Sequence, residues 1–219
     1  MNHKICVPIV EKSRSDFAGR LEEVQKIVDF IELRADFIRN MEPGYVDFLK
    51  KKTFKKSVFT CRRRRFGGRF VGSSGECLKI MKKADQAGFD FVDVDIGELE
   101  FNDFSPQQAK LIASFHDYES TPNLMELESI YQDMQEFSPA IFKFSTFCRD
   151  EKDADTLMEF LKSKENPEKF VICGMGEFGK KTRILALQYE AAFTFASLEG
   201  ASSAEGQLDY FEMVRAINN

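Results

Sequence analysis

The chain has 219 residues, 43% of them hydrophobic, enough for one sizeable core and near the lower end of what a single α/β barrel requires. Its 31 basic and 36 acidic residues leave a net charge of -5 at pH 7, which argues against nucleic acid or an anionic membrane as the general partner. Five cysteines (Cys6, Cys61, Cys77, Cys148, Cys173) show no CxxC spacing and only His3 and His116 supply imidazole, so a disulfide framework, a zinc site and a histidine-rich metal centre are all disfavoured.

No run of 18 apolar residues occurs and the first ten residues lack a secretory apolar core, so a cytoplasmic protein with reduced thiols is expected. Residues 5–10, ICVPIV, read as a first strand, although Pro8 is awkward in a sheet interior. Ser15 and Asp16 suit the cap of a helix in which Phe17, Leu21, Val24, Ile27 and Val28 recur at helical spacing. In a second strand, 30–36, alternation puts Ile31, Leu33 and Ala35 on one face and Glu32 and Arg34 on the other, as at the mouth of a barrel. A short helix around 46–49 leads to a third strand, 57–62, ending in Arg62. The loop Phe66-Gly67-Gly68 follows, then a helix from Ser74 to Ala87 stopped by Gly88. A fourth strand, 89–95, alternates strictly, and a fifth, 110–116, puts Ser114 and His116 on one face. Thr121 and Pro122 open a helix running to about Phe137. The sixth strand starts at Ile141, followed by a helix over 153–161, a strand over 170–175, a helix over 181–189, a strand over 192–196 and a closing helix over 207–217. About eight βα units in one chain predict an α/β fold: a closed, single-domain (β/α)8 TIM barrel spanning 1–219.

The sixth strand carries the main chemical signal. Ile141, Lys143 and Ser145 share one face and Phe142 and Phe144 the other, so a lysine points where a core residue belongs. Alone, this is more simply a strand-end lysine snorkelling to water. In an apolar enclosure, however, the charged form of an amine is disfavoured and the free amine can attack a ketone. The carboxyl ends of barrel strands form one cup. Here those ends offer Glu32, Arg34, Arg62, Asp93, Asp95, His116, Lys143 and Met175, with Arg183 beyond the Gly174-Met175-Gly176 turn. A nucleophilic lysine, one histidine and three arginines suit imine chemistry on a small carboxylated ketone. Arg183, read near a helix start, is a cation poorly placed against the helix dipole unless an anion arrives. Arg62 to Arg65 read as a solvated loop rather than an RNA contact, and the 23 phenylalanines as core.

Taken in order, Glu32-Leu33-Arg34, Thr60-Cys61-Arg62, Ser114-Phe115-His116-Asp117, Phe142-Lys143-Phe144, Gly174-Met175-Gly176 with Arg183, and Ser203-Ala204-Glu205-Gly206-Gln207 resemble type I 3-dehydroquinate dehydratase over nearly the whole chain. The resemblance implies a lyase that converts 3-dehydroquinate to 3-dehydroshikimate in the shikimate pathway, towards chorismate and the aromatic amino acids, with no metal or organic cofactor. It implies that Lys143 forms a Schiff base with the substrate ketone and that His116 is the general acid/base. It further implies that Arg183 pairs with the substrate carboxylate, that Glu32, Arg34 and Arg62 hold hydroxyls and shape the charge, and that Met175 forms a wall. It implies as well that Ser203, Ala204 and Gln207 fall in a loop that folds over bound ligand, for which Gly200, Ser202 and Gly206 would supply flexibility. The family includes stand-alone enzymes, commonly homodimers, and fusions to shikimate dehydrogenase, whose second domain would begin near Asn219.

The chain departs from the family at Phe66, where relatives often carry a glutamate near the histidine. What orients His116 is therefore open, with Glu32 as the candidate replacement. Pro8 also stands where relatives can carry a small polar residue. Two other readings remain beside this one: a class I aldolase, disfavoured by the three arginines and Gln207, and a catalytically silent barrel binding a small carboxylate, disfavoured by the pairing of His116 with Lys143.

Overall fold

The computed structural model describes residues 4–102, 104–198 and 207–218. Its strands are β1 (Ile5–Ile9), β2 (Phe30–Arg34), β3 (Lys56–Thr60), β4 (Phe91–Asp95), β5 (Lys110–Asp117), β6 (Ile141–Phe147), β7 (Phe170–Met175) and β8 (Thr194–Phe195). Its helices are α1 (Arg14–Val24), α2 (Pro43–Lys52), α3 (Ser74–Ala87), α4 (Ile96–Leu99), α5 (Leu124–Gln135), α6 (Glu151–Lys162), α7 (Gly176–Gln188) and α8 (Tyr210–Asn218). The strands form one sheet in the order β7-β6-β5-β4-β3-β2-β1-β8, parallel at every pairing. The ends meet where the Ala192 N–H, just before β8, donates to Phe170 O at 2.8 Å, giving a nearly closed (β/α)8 barrel. Among the described residues no helix is long and apolar enough to cross a membrane.

Strand alternation sorts the side chains into two cores. Outward residues such as Ile31, Leu33, Phe59, Val92, Val94, Phe142, Phe144 and Ile172 pack beneath the helices. Phe144, for example, meets Phe160 of α6 edge-on at 4.9 Å. Inward residues change chemistry along each strand. The first inward positions, Phe30, Val58, Phe91, Ile112, Ile141 and Val171, fill the bottom of the barrel. The next are Glu32, Thr60, Asp93, Ser114, Lys143 and Cys173, and the last Arg34, Arg62, Asp95, His116, Ser145 and Met175. An apolar plug at the amino end thus supports polar tiers at the carboxyl end.

Helix starts differ from the sequence reading where a nearby residue caps better. Ser13, not Ser15, caps α1 and accepts from Asp16 N at 3.1 Å, which leaves Asp16 inside the first turn, where a carboxylate favours the dipole. Asn123, not Thr121, caps α5 in a reciprocal box with Glu126. Thr121 is engaged elsewhere, its hydroxyl donating to Phe147 O at 3.0 Å. The helix expected over 181–189 begins at Gly176, directly from β7. A one-turn helix, α4, follows β4 and has no counterpart in the sequence reading. Pro8 does not interrupt β1, which runs buried through it in register with Glu32.

Candidate active site

Lys143 lies in the middle of β6, in register with Ser114 on β5 and Val171 on β7. Its Nζ donates to Asp93 Oδ2 at 2.7 Å and sits 4.5 Å from the centre of the Phe195 ring. Asp93 Oδ1 accepts from Arg62 Nη2 at 2.5 Å and from Ser114 Oγ at 2.7 Å. Burial alone would push the Asp93 carboxyl up, but Arg62 and Lys143 outweigh it and hold that group well below the usual carboxylate range. Burial likewise opposes the charge of Arg62, and Asp93 more than offsets it. The surroundings of Lys143 are not simply apolar: a ring covers one side, and a buried carboxylate holds the amine on another. That ion pair must open before Nζ can attack a carbonyl carbon.

His116 Nδ1 lies 2.9 Å from Asp95 Oδ2, and the imidazole stacks on Tyr118 with ring centres 6.0 Å apart. Burial, and after it the charges of Arg62 and Lys143, keep the imidazole well below its ordinary pKa, hence neutral and able to accept a proton. Burial pushes the Asp95 carboxyl up to about 7 against the opposing pull of Arg62. Glu32, the candidate to orient His116, instead accepts from Thr60 Oγ1 at 2.7 Å. The reason is topological. Glu32 faces β3, whereas Asp95 lies on the strand that pairs with β5, in register with Ser114 two residues before His116.

Arg34 does not pair with Glu32 either. It forks onto Asp36 through two 2.9 Å hydrogen bonds. Arg183 lies in the middle of α7, so the dipole argument fails, but its side chain is 2% exposed and its Nη1 donates to Phe195 O at 3.4 Å. Among the described residues, neither Arg183 Nε nor Arg62 Nε has a hydrogen-bond partner, although both are buried. Both residues also line one cavity, together with Arg34, so three guanidinium groups bring positive charge to it. The run Arg62 to Arg65 divides: Arg62 is buried inside, Arg63 pairs with Glu98, and Arg64 and Arg65 are exposed. The solvated-loop reading therefore fails for Arg62.

Glu32, Arg34, Arg62, His116, Lys143, Met175, Arg183 and Gln207 all line one small cavity of about 40 Å³. Tyr118, Ser145, Cys173 and Phe195 complete the wall. Ser203 and Ala204 lie outside the described residues, as do Gly200, Ser202 and Gly206. The sequence reading did not single out Tyr118 or the two carboxylate pairings. Alternation along β4 had already put Asp93 and Asp95 on the inward face, beside the strands of Arg62 and His116.

A buried lysine and a neutral histidine around one cavity, with three arginines in its wall, define the class: a barrel enzyme for a small anionic substrate. The type I 3-dehydroquinase family model matches residues 5–219, and the chain belongs to that family. It is 36% identical over 210 residues to a 3-dehydroquinate dehydratase of Coxiella burnetii, a match covering 96% of this chain and 90% of the relative. Among solved structures, it resembles type I 3-dehydroquinate dehydratase from Clostridium difficile with covalently modified comenic acid, with a TM-score of 0.82 and 25% identity, covering 98% of this chain and 91% of that one. It also has the fold of the dehydroquinate dehydratase and shikimate dehydrogenase from S. pombe, with a TM-score of 0.78 and 22% identity, covering 97% of this chain and 44% of that one.

Proposed function

We propose that this chain removes water from 3-dehydroquinate to give 3-dehydroshikimate, through an imine on Lys143. The observation that carries the reading is that Lys143 and a neutral His116 face one cavity lined by Arg34, Arg62 and Arg183. When substrate loosens the contact with Asp93, Nζ gives up a proton and adds to the C3 carbonyl carbon. Loss of water from that adduct leaves a protonated imine, which draws electrons from C2 more strongly than the ketone does. His116 takes a C2 proton and an enamine forms. The enamine electrons then expel the C1 hydroxyl, which receives a proton from His116 and leaves as water. Water adds back across the imine, restoring Lys143 and releasing the conjugated ketone. The water lost on condensation and the water taken up on hydrolysis cancel, so the net change is loss of one water.

Arg183 takes the substrate carboxylate, where a guanidinium fork fits better than an ammonium. Arg62, Arg34 and Glu32 hold hydroxyls, Met175 is an apolar wall, and Gln207, with Ser203 and Ala204 of its loop, closes on the ligand. The covalent modification named for the C. difficile relative supports covalent chemistry at this kind of site. Five free thiols support a cytoplasmic location.

Absorbance of the conjugated product, followed on mixing protein with 3-dehydroquinate, tests the reading. The signal is expected to grow at the same rate with a chelator present, to vanish in Lys143→Ala, and to slow by about 10²–10⁴-fold in His116→Ala. Undiminished growth in folded Lys143→Ala would sink the imine route.

A further inference from the structure

The imine reading leaves open what positions its base, because the loop position given to a glutamate in relatives holds Phe66. We infer that Asp95, at the end of β4, is the positioning residue of His116, and that the loop after β3 supplies an apolar brace in place of a charge. The proposal rests on the reading above and deepens it.

Five contacts support it. Asp95 is held at both oxygens: Oδ1 accepts from Gly97 N at 3.2 Å and Oδ2 lies 2.9 Å from His116 Nδ1, so the carboxylate has one orientation. Phe66 does not reach the histidine. Its ring lies against Gly97, where a Cβ would come within 2.4 Å of a ring carbon, and it thereby covers the backbone that holds Asp95. Gly67, at φ 77°, leaves room for Tyr118, whose ring would lie 2.1 Å from a Cβ at that position. Tyr118 in turn stacks on His116 at an interplanar angle of 15°. The imidazole is thus fixed at its edge by Asp95 and at its face by Tyr118. The Asp95 and His116 side chains are 6% and 4% exposed, so water does not compete for the contact.

The chemistry follows from which atom carries the proton. An ionised Asp95 accepts a hydrogen from Nδ1 and leaves Nε2 with a free lone pair, the form needed to take the C2 proton. It then stabilises the imidazolium that results. A protonated Asp95 donates to Nδ1 instead, which forces the hydrogen onto Nε2 and removes the base. Activity therefore rises with pH as Asp95 ionises, through about 7. The other ionisable groups acting on this pair are Arg34 from β2, Arg62 after β3, Asp93 from β4, Glu98 from α4 and Lys143 from β6, with Tyr118 beside the ring.

Asp95→Asn keeps the size of the side chain and removes the carboxylate. Expected are a fall in kcat of about 10²–10⁴-fold, KM within about twofold, and loss of the acidic limb near pH 7. Borohydride added with 3-dehydroquinate is expected still to leave a reduced adduct on Lys143, because the imine forms before the base acts. A wild-type kcat and pH profile in the variant overturns the proposal, as does loss of the adduct from folded variant. Histidine-labelled ¹⁵N spectra of the wild-type protein at pH 8 need no variant: a protonated Nδ1 with a bare Nε2 on His116 is expected, and the opposite tautomer overturns it. Either failure leaves wild-type turnover intact, whereas absence of product and adduct from wild-type protein removes the imine reading itself.

Discussion

At the scale of single residues, two aspartates two positions apart on β4 are driven in opposite directions. Asp93 meets Arg62 and Lys143 and stays ionised despite burial, while Asp95 faces a neutral imidazole and is pushed up to about 7. This gives a stability effect whose sign follows from linkage. The unfolded carboxyl titrates near about 3.9, so between about 4 and 7 the folded chain holds a proton that the unfolded chain has released, and stability falls as pH rises across that window. Asp95→Asn removes the effect. Its Tm relative to wild type is expected to be higher at pH 8 than at pH 5, read from melting curves at the two values; an equal difference at both would contradict the assignment. Lys143 was legible in the sequence because alternation along β6 puts it among inward residues. The pairing of His116 was not legible, because a two-residue period fixes which face a side chain takes and says nothing of which strand's carboxylate it meets. Glu32 is the candidate the sequence offers, but the strand order places β4, and not β2, beside β5.

At the scale of elements, helix ends show where local signals suffice. The span of α3 was readable because Ser73 and Glu76 form a reciprocal cap at its start and Gly88, at φ 82°, stops it. The start of α5 was misread because Thr121-Pro122 has the form of a helix opening, while the Thr121 hydroxyl is committed to β6, where it also meets Thr146 Oγ1 at 2.9 Å. Asn123→Ala is therefore expected to cost about 1 kcal/mol of stability, measured by denaturant unfolding. Pro122→Ala is expected to stay within about 0.5 kcal/mol of wild type. The reverse order would restore Thr121-Pro122 as the helix start. Helix α7 begins earlier than the sequence implies because Gly174-Met175-Gly176 reads as a loop, whereas Gly176, at φ 75°, turns the chain straight from β7 into the helix.

At the scale of the whole molecule, the rhythm of strand and helix was enough to foresee a barrel, and the strength of its closure was not. β5 and β6 are 8 and 7 residues long, whereas β8 has 2, pairing with β1 through Ile5↔Thr194 and Cys6↔Phe195. Among the described residues, short pairing on one side and a single backbone hydrogen bond from Ala192, just before the strand, to the start of β7 make β8 the weak stave of the wall. Amide hydrogen exchange in native buffer is expected to be slowest in β5 and β6 and faster at Thr194 and Phe195. Uniform protection around all eight strands would contradict this view of the seam. Glu32, Arg34, Asp93, Asp95, His116 and Lys143 stand on β2 to β6, away from that seam, whereas Arg183 of α7 donates to Phe195 O of β8 and the Phe195 ring covers Lys143.

The most direct test of the central claim is mass spectrometry of the protein after borohydride reduction in the presence of 3-dehydroquinate. One reduced adduct is expected, on the peptide that carries Lys143, and none when substrate is left out. Turnover without any adduct, or an adduct confined to another lysine, would contradict it.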